Sequence, residues 1–210
     1  MPMPRPHRRT RPSNGPPIAE EAASPPRIIG GELRGRRLPF VPAGRTRPMK
    51  DRVRATLFDL LGPAVRDSLA IDLFAGTGAV GFEALSRAAA AAVFAERHFP
   101  TADAIRRTAV ELGLAERASV HSGDVLLWAK RLPPLDRSRP WVVVISPPWA
   151  FFHERREELT GLIATMLREA PPGSRLVVEA DEAFDPQDLP EADTWQRRAI
   201  PPAVLYLCDR

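Results

Sequence analysis

The sequence predicts an α/β fold, a mostly parallel sheet with helices on both faces, and three observations predict it. Short apolar runs of strand length alternate with helically patterned segments from about residue 69 onward. Two of those runs, Ala91-Ala-Val-Phe-Ala95 and Trp141-Val-Val-Val-Ile145, contain no charged residue, as strands covered on both faces require. The run Ser68-Leu-Ala-Ile-Asp-Leu-Phe74 passes through a glycine turn directly into a helix.

Each element follows in order. Residues 1–26 hold eight prolines and few apolar side chains, so they are expected to be a disordered tail that cannot offset its ordering entropy. Arg27 to Leu38 reads as two short β-like runs around glycines, a basic hairpin. Arg45-Thr-Arg-Pro48 reads as a turn, and Asp51 to Leu61 as a helix with Val53, Leu57, Phe58, Leu60 and Leu61 on its apolar face. Residues 27–62 thus form a basic N-terminal unit, and 63–210 the sheet domain.

Within that domain the strands are Ser68 to Phe74, Ala91 to Ala95, Ala118 to His121, Trp141 to Ile145 and Arg175 to Glu179. The helices between them run from about Gly78 to Arg87, Phe99 to Leu112, Val125 to Lys130 and Glu154 to Glu169. Two last strands, near Thr194 to Ile200 and Ala203 to Cys208, meet at Pro201-Pro202 and read as an antiparallel pair. Ligands of such folds bind outside the carboxyl ends of the strands, where the strand order reverses.

At 210 residues the chain suits one domain plus a tail. No apolar run reaches the roughly 20 residues that cross a bilayer, and Met1 to Arg11 lacks the apolar centre of a signal peptide, so a soluble, cytoplasmic protein is expected. The lone Cys208 excludes an internal disulfide and reads as a core residue, and no metal site is expected. Charge is unevenly spread: residues 1–54 hold 13 basic and four acidic side chains, a balance of +9, and the remainder carries −5. Coding bias explains why 28 of the 30 basic residues are Arg, but not why the excess sits at one end. A basic arm on a mildly acidic body suits contact with a polyanion.

Gly76-Thr-Gly-Ala-Val-Gly81 lies between the first strand and its helix. Alone, such a turn serves packing as well as ligand binding. Its companions are Asp72, four residues upstream, and Glu96, ending the second strand, where an acid can accept both ribose hydroxyls of an adenosine-containing cofactor. A dinucleotide needs the helix start for its pyrophosphate. S-adenosylmethionine instead brings an ammonium that suits Asp72. At the fourth strand end, Ser146-Pro147-Pro148-Trp149 offers a hydroxyl, donor-free prolines and an aromatic face. The Pro147 carbonyl and Ser146 side chain can hold both hydrogens of a base amine and aim its lone pair, while Trp149 stacks on the extruded base. Asp124 is a candidate partner for the adenine amine, and equally a helix cap before Val125.

The sequence resembles the class I, Rossmann-like S-adenosylmethionine-dependent methyltransferases and, more narrowly, the RsmD-like family that methylates N2 of a guanine in 16S ribosomal RNA. The resemblance rests on Arg27-Ile-Ile-Gly-Gly-x-x-Arg-Gly-Arg-x-Leu38, Arg47-Pro48, Asp51-Arg-Val-Arg-x-Thr-Leu-Phe58, and Asp72-Leu-Phe-Ala-Gly-Thr-Gly-Ala79 with Gly81, Glu83 and Ala84 to Arg87. It implies a seven-stranded sheet with its last strand antiparallel. It also implies a cofactor site at Asp72, Phe74, Ala75, Gly76, Thr77, Gly78, Glu96 and Asp124, and catalysis at Ser146, Pro147, Pro148 and Trp149. Arg34, Arg36, Arg37, Arg47, Lys50 and Arg52 would then lie beside the RNA of the small ribosomal subunit. Ser146 stands where the family has Asp, Met49 and Ala55 where it has Thr and Glu, and Pro201-Pro202 where it has a glycine-bearing turn. The altered motif leaves two other readings: a cofactor- and RNA-binding assembly protein with little turnover, or an amine methyltransferase acting on DNA.

Overall fold

The structure, a computed structural model, describes residues 25–39 and 49–210. The expected tail up to residue 24, the turn at 45–48 and Arg47 lie outside the described residues. Seven strands form one sheet: β1 Leu69–Leu73, β2 Ala91–Glu96, β3 Ala118–Ser122, β4 Trp141–Ile145, β5 Arg175–Asp181, β6 Gln196–Ile200 and β7 Ala203–Asp209. Their order is β3-β2-β1-β4-β5-β7-β6. The first five are parallel neighbours, and β7 inserts antiparallel between β5 and β6, as expected for the terminal pair. Every residue of β1 and β4 is buried, which accounts for their unbroken apolar sequence apart from Asp72.

The helices are α1 Asp51–Leu61, α2 Ala79–Ser86, α3 Phe99–Glu111, α4 Val125–Lys130, α5 Phe151–Glu154 and α6 Arg156–Glu169. One face of the sheet packs Phe94, Val144, Val177 and Leu205 against Val53, Leu57 and Phe58 of α1, Phe82 of α2, and Ile28 and Leu38 of the N-terminal segment. The other packs Ile71, Val143 and Val178 against Trp128 of α4 and Leu159, Ile163 and Met166 of α6. Among the described residues no helix is long and apolar enough to cross a membrane. Cys208 is buried and free, in the core as expected.

Three local expectations are refined. The hairpin of residues 27–38 forms but is too short for a ladder: its arms meet in one antiparallel bridge, Arg27 to Arg37, with Ile28 N–H on the Arg36 carbonyl (2.9 Å), Leu38 N–H on the Pro26 carbonyl (2.8 Å) and Gly35 N–H on the Ile28 carbonyl (2.8 Å). The rest of its backbone bonds to α2. Ile29 N–H donates to Glu83 Oε2 (2.7 Å), Leu33 N–H to Ser86 Oγ (2.9 Å) and Glu32 N–H to the Ser86 carbonyl (2.9 Å), while Ser86 Oγ donates to the Gly30 carbonyl (2.6 Å). The expected helix from Glu154 to Glu169 begins earlier, at Phe151, and breaks at Arg155, whose φ of −133° leaves the helical region. The Arg155 guanidinium turns back to Asp124 and Glu158. Finally, Arg54 joins the apolar face of α1 with no exposure at all. Its Nη2 donates to the Arg27 carbonyl (2.5 Å) and Asp51 (2.9 Å), its Nε lies 3.8 Å from Glu83, and among the described residues Nε and Nη1 make no hydrogen bond. Such a buried arginine is tolerated because the Glu83 and Asp51 carboxylates flank it.

Contact this close needs Gly31. Its φ is +76°, and a Cβ there would sit 2.0 Å from the Ser86 carbonyl oxygen. Gly35, at φ +87°, would have nothing within 4 Å of a Cβ at that position. Gly35→Ala is therefore expected to cost about 1–2 kcal/mol from backbone conformation alone, and Gly31→Ala at least about 1 kcal/mol more from the clash. Urea unfolding of the two variants side by side measures the difference; equal losses would contradict the docking geometry.

Candidate functional site

β1 and β4 pair Leu73 with Ile145 at the point where the strand order reverses, so the loops leaving both strands open side by side. After β1 the chain turns sharply: Phe74 takes a φ of 64°, and the helix α2 starts behind Gly78, at φ 74°. Positive φ at a phenylalanine is strained, and the edge-to-face contact of its ring with Phe151, 6.0 Å between centroids, helps to hold it. Gly81 lets α2 lie against β2, since a Cβ would stand 2.2 Å from the Phe94 ring.

Two carboxylates bracket this turn. Asp72 Oδ2 accepts from Gly81 N–H (2.9 Å), and Glu96 accepts from Gly76 N–H through Oε2 (2.8 Å) and from His98 N–H through Oε1 (2.7 Å). Gly78 N–H donates to the Ala75 carbonyl (2.8 Å). The amides of all three motif glycines are thus engaged, two of them by anions, and a phosphate approaching the turn would meet negative charge. Burial pushes the Asp72 carboxyl up to about 7; the Gly81 amide offsets part of this, Glu96 adds to it and Arg54 draws it back. A ligand presenting a cation and hydroxyl groups fits such a pair, and a pyrophosphate does not. Phe74, Gly76 and Thr77 are half-buried around the carboxylates, and Ala75 and Gly78 are buried.

Asp124 makes the contacts of a helix cap. Its Oδ1 accepts from the Leu126 and Leu127 amides (2.8 and 3.3 Å) at the start of α4, and its Oδ2 from Arg155 (3.1 Å). Partial burial would raise its pKa, but Arg155 and the two amides outweigh this and hold the carboxyl below its ordinary value.

Beyond β4, Ser146 N–H donates to the Leu73 carbonyl (3.3 Å), tying the two strand exits together. The Pro148 and Trp149 carbonyls are used by Phe151 and Phe152 N–H (2.8 and 3.1 Å), whereas the Pro147 carbonyl accepts no hydrogen bond among the described residues. Trp149 is half-buried and packs against the cores of both sheet faces. Ser146 Oγ donates to Glu179 Oε2 on β5, a buried carboxylate that no sequence motif singles out. An acid ending the apolar run Leu176-Val-Val is its only signal. Arg34, Arg36 and Arg37 are exposed on the bridged turn, and Lys50 and Arg52 are exposed around the start of α1.

A family model described as conserved hypothetical protein 95 matches residues 26–199. Ribosomal RNA small subunit methyltransferase D of Escherichia coli K12 is 37% identical over 123 residues, 59% of this chain and 60% of that protein. The protein of the same name from Haemophilus influenzae is 38% identical over 126 residues, 60% of this chain and 64% of its own length. The chain thus spans less than two thirds of the curated relatives it matches. The solved structure of putative methyltransferase yhhF from Escherichia coli superimposes with a TM-score of 0.68 at 28% identity, covering 86% of this chain and 95% of that one.

The raised pKa of Asp72 sets a pH dependence. Its unfolded value is near 3.8 and its folded value about 7, so between these limits the native state holds more protons than the unfolded chain. Stability contributed at this residue is therefore lost as pH rises from about 4 to about 7. Asp72→Asn should flatten that decline, as read by urea unfolding at a series of pH values; an unchanged slope would show that Asp72 ionises normally.

Proposed function

We propose a reaction from one premise: the chain belongs to the conserved hypothetical protein 95 family of RsmD-like methyltransferases. It transfers a methyl group from S-adenosylmethionine to the exocyclic N2 amine of a guanine in 16S ribosomal RNA, in the cytoplasm where small subunits are built. The observation that carries this reading is the pair of carboxylates on the glycine turn, lying beside a strand exit with an unclaimed carbonyl and a hydroxyl. The names of the curated relatives support the polymer and the subunit.

When bound, S-adenosylmethionine supplies an electrophilic methyl group on a sulfonium. Asp72 would take its ammonium, which relieves the cost of the buried carboxylate. Glu96 spends only part of its accepting capacity on Gly76 and His98, and its remaining lone pairs suit the ribose hydroxyls. Phe74, Ala75, Gly76, Thr77 and Gly78 line the turn, with Asp124 shaping the neighbouring loop as a cap. A guanine amine is a poor nucleophile because its lone pair is delocalised into the ring. The Pro147 carbonyl and Ser146 hydroxyl each accept one amine hydrogen, which turns that lone pair out of conjugation and toward the methyl. Pro148 stiffens the loop, and Trp149 offers a face for the flipped base. Arg34, Arg36, Arg37, Lys50 and Arg52, with Arg47, contact phosphates and set the register of the RNA.

Purified protein should incorporate tritiated methyl groups into small-subunit RNA or immature subunits, with N2-methylguanosine as the product nucleoside by mass mapping. Incorporation no greater than a heat-killed control would overturn the reading. Trp149→Ala should lower kcat/KM for RNA by roughly 10- to 100-fold, the value of one base stacked on an aromatic ring. Calorimetry should find S-adenosylhomocysteine binding more tightly as pH rises through about 7 in the native protein, where Asp72 ionises, and independent of pH in Asp72→Asn.

A further inference from the structure

We propose that Glu179 is a positioning and proton-accepting partner of Ser146, supplying through the serine hydroxyl the negative charge that this residue itself lacks. The inference rests on the amine-methylation reading above and extends it to a residue outside the strand-exit motif.

Sheet register brings the two together. Asp72, Val144 and Val177 lie in one row across β1, β4 and β5, and Ser146 and Glu179 each come two residues later, on the same face and nearer the carboxyl edge. Glu96 stands two residues beyond Phe94, the β2 member of that row. The edge therefore carries Glu96, Ser146 and Glu179 on the side covered by α1 and the N-terminal segment. Glu179 is only 7% exposed, and Ser146 is the side chain that donates to it. Of the other charged groups on this side, Asp72 holds Gly81, Glu96 holds Gly76 and His98, Arg54 holds Arg27 and Asp51, Glu83 holds Ile29 and Arg87, and Arg175 holds Asp209, while Arg198 on β6 lies across Leu205 from Glu179 and is exposed. Asp181, two residues on along β5, caps the Ala183 amide at the rim. Burial raises the Glu179 pKa and the Ser146 hydrogen bond only partly offsets it, so the carboxylate is a better proton acceptor than an exposed glutamate.

In the reaction, Ser146 Oγ accepts an amine N–H while its own proton points to Glu179. The nitrogen lone pair forms the new N–C bond as the C–S bond breaks and its electron pair returns to sulfur, leaving the nitrogen cationic. The surplus amine proton passes to Ser146 Oγ as the hydroxyl proton passes to Glu179 Oε2. The products are a neutral methylamine, a neutral thioether and a protonated Glu179, which later releases its proton to water.

The test uses the full chain, small-subunit RNA and S-adenosylmethionine. Glu179→Gln keeps an oxygen for the hydroxyl but removes the charge. It should lower kcat roughly 100-fold, the usual scale for a lost proton acceptor, with KM for RNA and S-adenosylhomocysteine affinity changed less than about twofold. Wild-type kcat should fall as pH drops through an apparent pKa above the ordinary 4.5, and Glu179→Gln should lack that limb. Adding Ser146→Asp to Glu179→Gln should restore at least about tenfold, since a carboxylate then faces the amine directly. If Glu179→Gln does not fold, Ser146→Ala decides: loss of the acid limb supports the relay, and its persistence overturns it. A Glu179→Gln enzyme with wild-type kcat and pH profile overturns this inference alone. A wild-type protein that binds S-adenosylhomocysteine yet labels no RNA overturns the amine-methylation reading and this inference with it.

Discussion

The pairing of Leu73 with Ile145 is the constraint on which the candidate site depends. Parallel strands that end in register release their loops on the same edge, and here the strand order reverses at that very pair. The turn after β1 and the Ser-Pro-Pro-Trp exit after β4 are 72 positions apart in sequence when counted from Leu73 to Ile145, yet a single backbone hydrogen bond from Ser146 to Leu73 joins them. Neither loop alone specifies a reaction: one suits a cofactor, the other an amine, and only their adjacency makes transfer between the two possible.

Electrostatics then selects what enters. A glycine-rich turn ahead of a helix ordinarily favours phosphate, because amides and helix dipole both present positive charge. In this chain Asp72 and Glu96 have taken the amides of Gly81 and Gly76, which inverts the preference. The cost is a carboxyl held far from its ordinary ionisation, and that cost falls when a cation is bound beside it. The same motif thus serves opposite ligand classes according to two acids, one on the strand before it and one on the strand beside it.

Much of this is legible in the amino-acid sequence alone. A short, β-branched, uninterrupted apolar run such as Trp141 to Ile145 reads as a strand buried on both faces, as it is, and the helix from Asp51 to Leu61 has the bounds its apolar spacing predicts. What escapes depends on distant partners. The hairpin of residues 27–38 is read locally, but not its seat on α2, where the Glu83 and Ser86 side chains bond its Ile29, Leu33 and Gly30 backbone. Arg54 is absent from the apolar face that the spacing defines, and its burial follows only from Glu83 and the Arg27 carbonyl beside it. Glu179 has meaning only once β5 is known to lie beside β4, and the break at Arg155 only once Asp124 is known to attract its guanidinium. For Asp124 the local capping rule, weighed evenly against a role in adenine recognition, matches the observed contacts.

The docking of the N-terminal segment on α2 has a consequence for how such chains can be recombined. Ile28, Leu38, Leu57 and Phe58 belong to the same apolar cluster as the sheet, and Glu83 has its oxygens committed to Ile29 and Arg87. The basic arm is consequently not a module that could be excised or grafted onto another sheet domain of this architecture. A recipient would need the acid of α2, the serine three residues after it and the paired glycines that fit beneath them for the segment to dock as it does here.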